Sequence, residues 1–400
     1  MPEIAEVARC VHFLRRHLLG KKIARVSAPD DANVFGKVGT SGPAFEQAVK
    51  GKKVVSVGSQ GKYFCPLAHQ SRITFDRSPH AVMHLGMTGW IHIKGDKTAY
   101  TNYYKKMKKS EMDTWPPKYW KFWIETEGNP KVQAAFTDPR RFGRIRLVNC
   151  PGDEIRNYSP LKENGPDPVV DVDVFTEDYL RQMMQSRHVP VKALLLNQAN
   201  ISGIGNWVAD EVLYQSRLHP EQYCDDFGEA EIRTLYEKIR YVCQTAVDKL
   251  GDSDEFPDDW LFNHRWGKGK GEGVSSVLPN GEKLAFITVG GRTSCYAPER
   301  QKKTGRVALT AKEAKEVKKA AKRAANEVEE EEDEEVEEAP SKKAKPSKAK
   351  VKEESPEPAV DAPSKKQRGV AAKAKPKAPQ TKKEEEVVDS GRRRSLRLRN

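Results

Sequence analysis

The chain is predicted to be an α+β, multidomain protein: an N-terminal helix leading into a β-sandwich or barrel, a helical domain, a terminal β-hairpin and a disordered tail. Three observations carry that prediction. A single apolar stripe at helical spacing is followed by eight short strand-type stretches. Past residue 159 the apolar spacing becomes helical. From residue 301 onward Phe, Tyr, Trp, Cys and His disappear and Lys, Glu, Ala, Pro and Ser dominate, a composition that cannot bury enough apolar surface to offset the entropy of ordering. The expected boundaries are 1–150, 151–270, 271–298 and 299–400.

In order, residues 3–19 place Ile4, Val7, Ala8, Val11, Leu14 and Leu18 on one helical face. Pro2 and Glu3 open that helix, where N–H groups and the dipole stabilise a carboxylate, and Glu6 follows one turn on, on the same side. Strands are expected at 22–28, 53–57, 63–67, 80–85, 89–94, 119–126, 132–137 and 144–148, rich in β-branched and aromatic residues. The stretch 96–117, with Lys105, Lys106, Lys108 and Lys109, reads as an exposed insertion. Asn164-Gly165-Pro166-Asp167-Pro168 is a linker-like breaker cluster. Helices follow at 177–185, 191–196, 207–216 and 229–250, the last with Ile232, Leu235, Ile239, Val242, Cys243 and Ala246 in phase. Asn280-Gly281 between strand-like flanks predicts a hairpin turn.

A formal net charge of +13 points to a polyanionic partner. The tail holds an acidic run over 327–338, then basic clusters at Lys342-Lys343-Ala344-Lys345, Lys365-Lys366-Gln367-Arg368 and Arg392-Arg393-Arg394. These clusters fit a nuclear location and fit equally a solvated, self-repelling tail. The six cysteines are scattered without a Cys-x-x-Cys pair, so neither a zinc site nor a disulfide framework is suggested. No secretory signal and no apolar run near 18 residues is present, so an intracellular protein with no membrane partner is expected.

The first three residues, Met1-Pro2-Glu3, carry the most chemistry. Removal of Met1 ahead of a small residue leaves a secondary amine on Pro2, and an α-amine titrates near 8, at about 7.7–8.0 in model peptides. Such an amine attacking a sugar carbon forms an iminium, which stays cationic and acts as an electron sink for elimination.

Five segments then occur in one order: Met1 to Val7, Gly61-Lys62-Tyr63, His84-Leu85-Gly86-Met87-Thr88-Gly89, Thr137-Asp138-Pro139-Arg140-Arg141-Phe142-Gly143, and Ile201-Ser202-Gly203-Ile204-Gly205-Asn206. Together they resemble the formamidopyrimidine-DNA glycosylases, the Fpg/Nei (MutM-type) base-excision repair enzymes, over about residues 2–297. The charged tail and the missing zinc cysteines make the chain most similar to the plant-type members.

The resemblance implies a fold and a set of roles. The helical domain would be a helix-two-turn-helix domain and the hairpin a zincless finger. Pro2 would be the nucleophile on the deoxyribose anomeric carbon, Glu3 the general acid/base, and Glu6 a second acid that orients them. Lys62 would bind phosphate at the lesion and assist proton transfer, although a lysine at a strand edge is commonly a solubilising charge. Met87, Arg140 and Phe142 would fill the space left by the extruded nucleotide, which costs a few kcal/mol to remove from the stack. Asn206, opening a helix after two glycines, would contact the backbone near the lesion. Arg187 with His188 would add phosphate contacts, and Arg292 in Gly290-Gly291-Arg292-Thr293 would grip the flanking phosphates.

Two departures from the family pattern matter. Without the four cysteines zinc is not expected, and no metal or cofactor is. The segment Gly267-Lys268-Gly269-Lys270-Gly271 stands where relatives carry a loop over 8-oxoguanine, which shifts expectation towards formamidopyrimidines and abasic sites. The implied protein is a monomeric, nuclear, bifunctional DNA glycosylase/AP lyase on damaged double-stranded DNA, its tail free to bind DNA, chromatin or protein. Two alternatives stay open: a Nei-like enzyme for oxidised pyrimidines, and a non-enzymatic DNA- or chromatin-binding protein.

Overall fold

Helix α1 (Ile4–Leu18) turns its apolar stripe inward and leaves Arg15 and Arg16 at the surface. Its two ends serve different cores. Ile4 and Ala5 pack with Leu194, Leu195, Trp207 and Val208 of the helical lobe, whereas Val7 through Leu18 pack into the β lobe. The structure is a computed structural model and describes residues 2–65, 76–99, 114–266 and 277–304. The lysines at 105–109, the segment 267–271 and the tail from residue 305 lie outside the described residues.

The β lobe is a sandwich of two four-stranded antiparallel sheets. One has the order β1 (Ile23–Ser27), β6 (Trp120–Thr126), β7 (Gln133–Thr137), β5 (Trp90–Ile93). The other has the order β2 (Gly58–Gln60), β3 (Tyr63–Cys65), β4 (His80–His84), β8 (Arg144–Val148). Ile91, Phe122 and Phe136 from the first sheet meet Phe64, Met83 and Ile145 from the second against α1.

Two features of this lobe differ from expectation. Residues 53–57 are not a strand: they run beside residues 20–22 with one bridge, Lys22 to Lys53, and regular pairing begins at Gly58. Helix α2 (Gly42–Val49) was not anticipated. The Ser41 hydroxyl caps it by accepting from the Ala44 N–H, Pro43 sits in its first turn, and Phe45 and Val49 are buried one turn apart.

The helical lobe contains α3 (Glu177–Gln185), α4 (Val191–Leu196), α5 (Asn206–Ser216) and α6 (Glu229–Asp248). Its core takes the predicted face of α6, Ile232 through Ala246, against an α5 that is buried on nearly every side.

The hairpin does not turn where expected. Asn280-Gly281 closes only a small bridge between Val277 and Lys283, whereas β9 (Ala285–Val289) and β10 (Arg292–Tyr296) turn at Gly290-Gly291, both in the left-handed region. A second boundary also moves. The chain expected to be a free tail from 299 is held as far as Thr304. Gln301 is 1% exposed and donates to the Leu218 carbonyl, and the Thr304 N–H donates to Gln222. No helix among the described residues is long and apolar enough to cross a membrane.

Candidate active site and nucleic-acid interface

The first N–H groups of a helix lack intrahelical partners, and the N-cap position of α5 is Gly205, which has no side chain to cap them. Glu3 supplies the cap from the other lobe. Its carboxylate accepts from the Trp207 and Val208 N–H groups, each at 3.1 Å, and is 2% exposed. Glu3 is also the N-cap of α1, where Glu6 accepts from the Glu3 N–H at 2.9 Å in a capping box. Pro2, also buried, is the residue next to this junction. A Cβ on Gly205 would lie 2.2 Å from the Glu3 Cδ, so only glycine admits the carboxylate there.

Burial raises the Glu3 carboxyl, opposed by Lys62, by the two amide bonds and by Arg265. Burial and then the neighbouring Glu3 push Glu6 up to about 7. Lys62 is 8% exposed; burial lowers it, Glu3 pulls it back up and Arg292 lowers it further. Pro2, Glu3, Glu6, Lys62 and Arg292 are therefore brought to one place, from α1, the β2–β3 turn and the start of β10.

Two buried aspartates hold this assembly, and neither was singled out from the sequence. Asp167, from the breaker cluster, accepts the Gly61 N–H at 2.7 Å and the Val169 and Val170 N–H groups, tying the Lys62 turn to the helical lobe. An aspartate that bonds the backbone two residues on is a usual turn device, so part of its role was legible. Asp210 of α5 has a fully buried side chain and accepts from Lys192, Arg265 and, at 3.2 Å, the Cys295 N–H of β10. Asn206 adds a bond to the Thr293 carbonyl at 2.9 Å. With Tyr214, Leu261, Leu278 and Leu284 packed around Cys295, these contacts fix the hairpin. Zinc would need three or four donors. No group of three or more His, Cys, Asp or Glu able to hold a metal occurs among the described residues, and Cys295 is spent on packing.

A second cluster lies on the β lobe. Asp138, fully buried, accepts from the Thr88 hydroxyl at 2.6 Å, the Arg140 N–H at 3.2 Å and the Gly143 N–H at 2.6 Å. It thereby joins the Met87 turn to the Arg140–Phe142 turn. Gly86, at φ +65°, lets them close: a Cβ there would stand 2.4 Å from the Phe142 carbonyl carbon. The His84 Nδ1 accepts the Gly86 N–H at 3.0 Å, its ring pushed down to about 4 by burial and by Lys62 and hence neutral at pH 7. Met87 is half-buried; Phe142 is 47% exposed with the Arg140 guanidinium 5.1 Å from its ring centre. Arg141 instead forks onto Asp31, which Lys121 also reaches, so it anchors the turn.

Arg187 is not among the groups that meet at Glu3. It lies just past the C-cap of α3, with its guanidinium donating to the Met183 carbonyl and the Ser186 hydroxyl. His188 beside it stacks on Tyr223 at 4.0 Å and bonds Asp225.

Residues 1–145 match the family described as the formamidopyrimidine-DNA glycosylase N-terminal domain, and residues 165–257 the H2TH domain of the same enzymes. A formamidopyrimidine-DNA glycosylase of Arabidopsis thaliana is 36% identical over 311 residues, spanning 78% of this chain and 73% of its own. One from Pelotomaculum thermopropionicum is 30% identical, spanning 76% and 99%. Among solved structures, the fold is similar to that of the Lactococcus lactis enzyme bound non-covalently to AP-site-containing DNA, with a TM-score of 0.59 at 24% identity over 75% of this chain and all of that one. It is equally similar to MutM in complex with carbocyclic 8-oxo-G containing DNA, with a TM-score of 0.59 at 23% identity over 76% and 100%. A β-sandwich lobe joined through Glu3 to an H2TH lobe is the architecture of a DNA-repair glycosylase. The chain belongs to the formamidopyrimidine-DNA glycosylase family.

Proposed function

We propose that the chain is a bifunctional DNA glycosylase and abasic-site lyase acting on oxidised purines in duplex DNA, foremost formamidopyrimidines. With Met1 removed, the Pro2 nitrogen attacks the anomeric carbon of the damaged nucleotide and the base leaves with a proton. The sugar ring then opens, its C1′–O4′ bond breaking as O4′ takes a proton from Glu3, and the iminium left on Pro2 draws electrons through β- and then δ-elimination, releasing the two phosphate ends in turn. Glu3 exchanges the protons, Glu6 sets the carboxylate pair, and Lys62 and Arg292 hold phosphate. Met87, Arg140 and Phe142 enter the vacated stack, Asn206 at the start of α5 contacts the DNA backbone near the lesion, and Arg187 adds a peripheral phosphate contact. The observation that most supports this reading is Glu3: a nearly dry carboxylate next to Pro2, with a raised proton affinity and a buried lysine beside it.

The test is incubation with an abasic-site duplex and borohydride, followed by mapping of the adduct. An adduct on Pro2 supports the reading, and its absence from methionine-trimmed protein refutes it. Matched duplexes carrying formamidopyrimidine or oxidised pyrimidine separate the purine reading from the Nei-like one. The same proposal makes the protein a nuclear monomer that needs neither metal nor cofactor, its tail adding contacts to DNA or chromatin. Imaging of a C-terminal fluorescent fusion tests the location.

A further inference from the structure

A groove of about 860 Å3 runs between α1 and the helical lobe, one to four turns along α1 from Glu3. Its floor is apolar, built from Val11, Val170 and Leu250, and its rim carries Arg15, Arg16 and Arg156. The acidic residue lining it, Asp171, is taken by Arg156 in a two-point pair, with Nη1 to Oδ1 at 2.6 Å. Arg15 spends its Nε on the Val57 carbonyl, which leaves the end of its guanidinium over. Arg16 makes no hydrogen bond or ion pair among the described residues. The groove thus has a cationic surplus over an apolar base, which suits a peptide carrying carboxylates and a short aliphatic side chain.

The chain itself contains one. Glu327-Val328-Glu329-Glu330-Glu331-Glu332-Asp333 sets six carboxylates around a valine. Thr304 is fixed to Gln222 and Glu231 of the helical lobe, and the residues from there to Glu327 give about 75 Å of contour at ~3.3 Å per residue. A domain of this size has a radius of gyration of about 19 Å, so the segment reaches α1. We propose that Glu327–Asp333 docks in this groove, with carboxylates on Arg15 and Arg16 and Val328 on the apolar floor. Docked there, a charge block that would repel DNA phosphates is compensated within the chain.

The full-length protein with a photoreactive aromatic residue at position 328 tests this. Irradiation at low salt followed by peptide mapping should place crosslinks on residues 8–16 or 169–171. Arg15→Glu with Arg16→Glu should lower their yield about fivefold, and Glu329→Lys with Glu330→Lys in that background should restore it. Crosslinks elsewhere on the chain, crosslinks only between two copies, or no rescue would overturn the proposal. If the arginine variants melt early, raising the salt on the otherwise unchanged chain serves instead: charge-led docking must fade as screening shortens, and an unaltered yield would overturn it.

Discussion

Glu3 is pulled two ways. The α5 amides and Lys62 favour its anion, burial favours its acid, and burial prevails. A carboxyl held at that balance can both give and take a proton, the property the proposed elimination needs. Glu3→Gln keeps an oxygen for one of the two amides, so the fold should persist while single-turnover cleavage of an abasic duplex drops about 10²-fold or more. Undiminished cleavage would reduce Glu3 to a structural cap. Glu6 adds a pH signature. Its carboxyl is raised from 4.5 to about 7, so the folded chain holds a proton that the unfolded chain releases across that interval. The linked stability is whole below pH 4.5, declines as pH rises, and is lost above 7. Glu6→Gln should flatten the fall in melting temperature between pH 4.5 and 7, and an unchanged slope would assign that fall to other groups.

At the scale of elements, the site depends on the loop that starts α5 and on what holds β10. Gly205→Ala puts a Cβ 2.2 Å from the Glu3 Cδ, so abasic-site cleavage should fall as far as in Glu3→Gln although the catalytic side chains are all present. Asp210→Ala leaves Lys192 and Arg265 facing each other in the core without a counter-charge. Urea unfolding should register a loss of about 3–5 kcal/mol, partly recovered when Lys192→Met is added. These two positions also mark the reach of the sequence. The stripe of α1, the face of α6 and the grouping of Met87, Arg140 and Phe142 were legible because each is written in local spacing or in a family motif. Asp138, Asp167 and Asp210 were legible in part or not at all, because their partners come from elsewhere: Thr88, Gly61 and Cys295 respectively. The Ser41 cap of α2 was present in the sequence and overlooked. Asn280-Gly281 was read correctly as a turn, but the expectation that its hairpin holds Arg292 fails, since Gly290-Gly291 offers the same backbone freedom to longer strands.

For the whole molecule, the useful truncation point is Thr304, because Gln301 and Thr304 are bonded to the helical lobe. A chain ending there should cleave abasic duplexes as well as the full protein does, yet bind undamaged duplex more weakly. The slope of log affinity against log salt should also become shallower. An unchanged slope would remove the tail from DNA binding altogether. The junction between lobes has a broader implication. One carboxylate finishes a helix that belongs to the other half of the chain, so neither half alone has both the acid and its surroundings. Produced as two polypeptides parted between the lobes, the protein would be silent until the halves reassociate. Returning turnover would then time their encounter, which makes this enzyme a natural candidate for a complementation reporter.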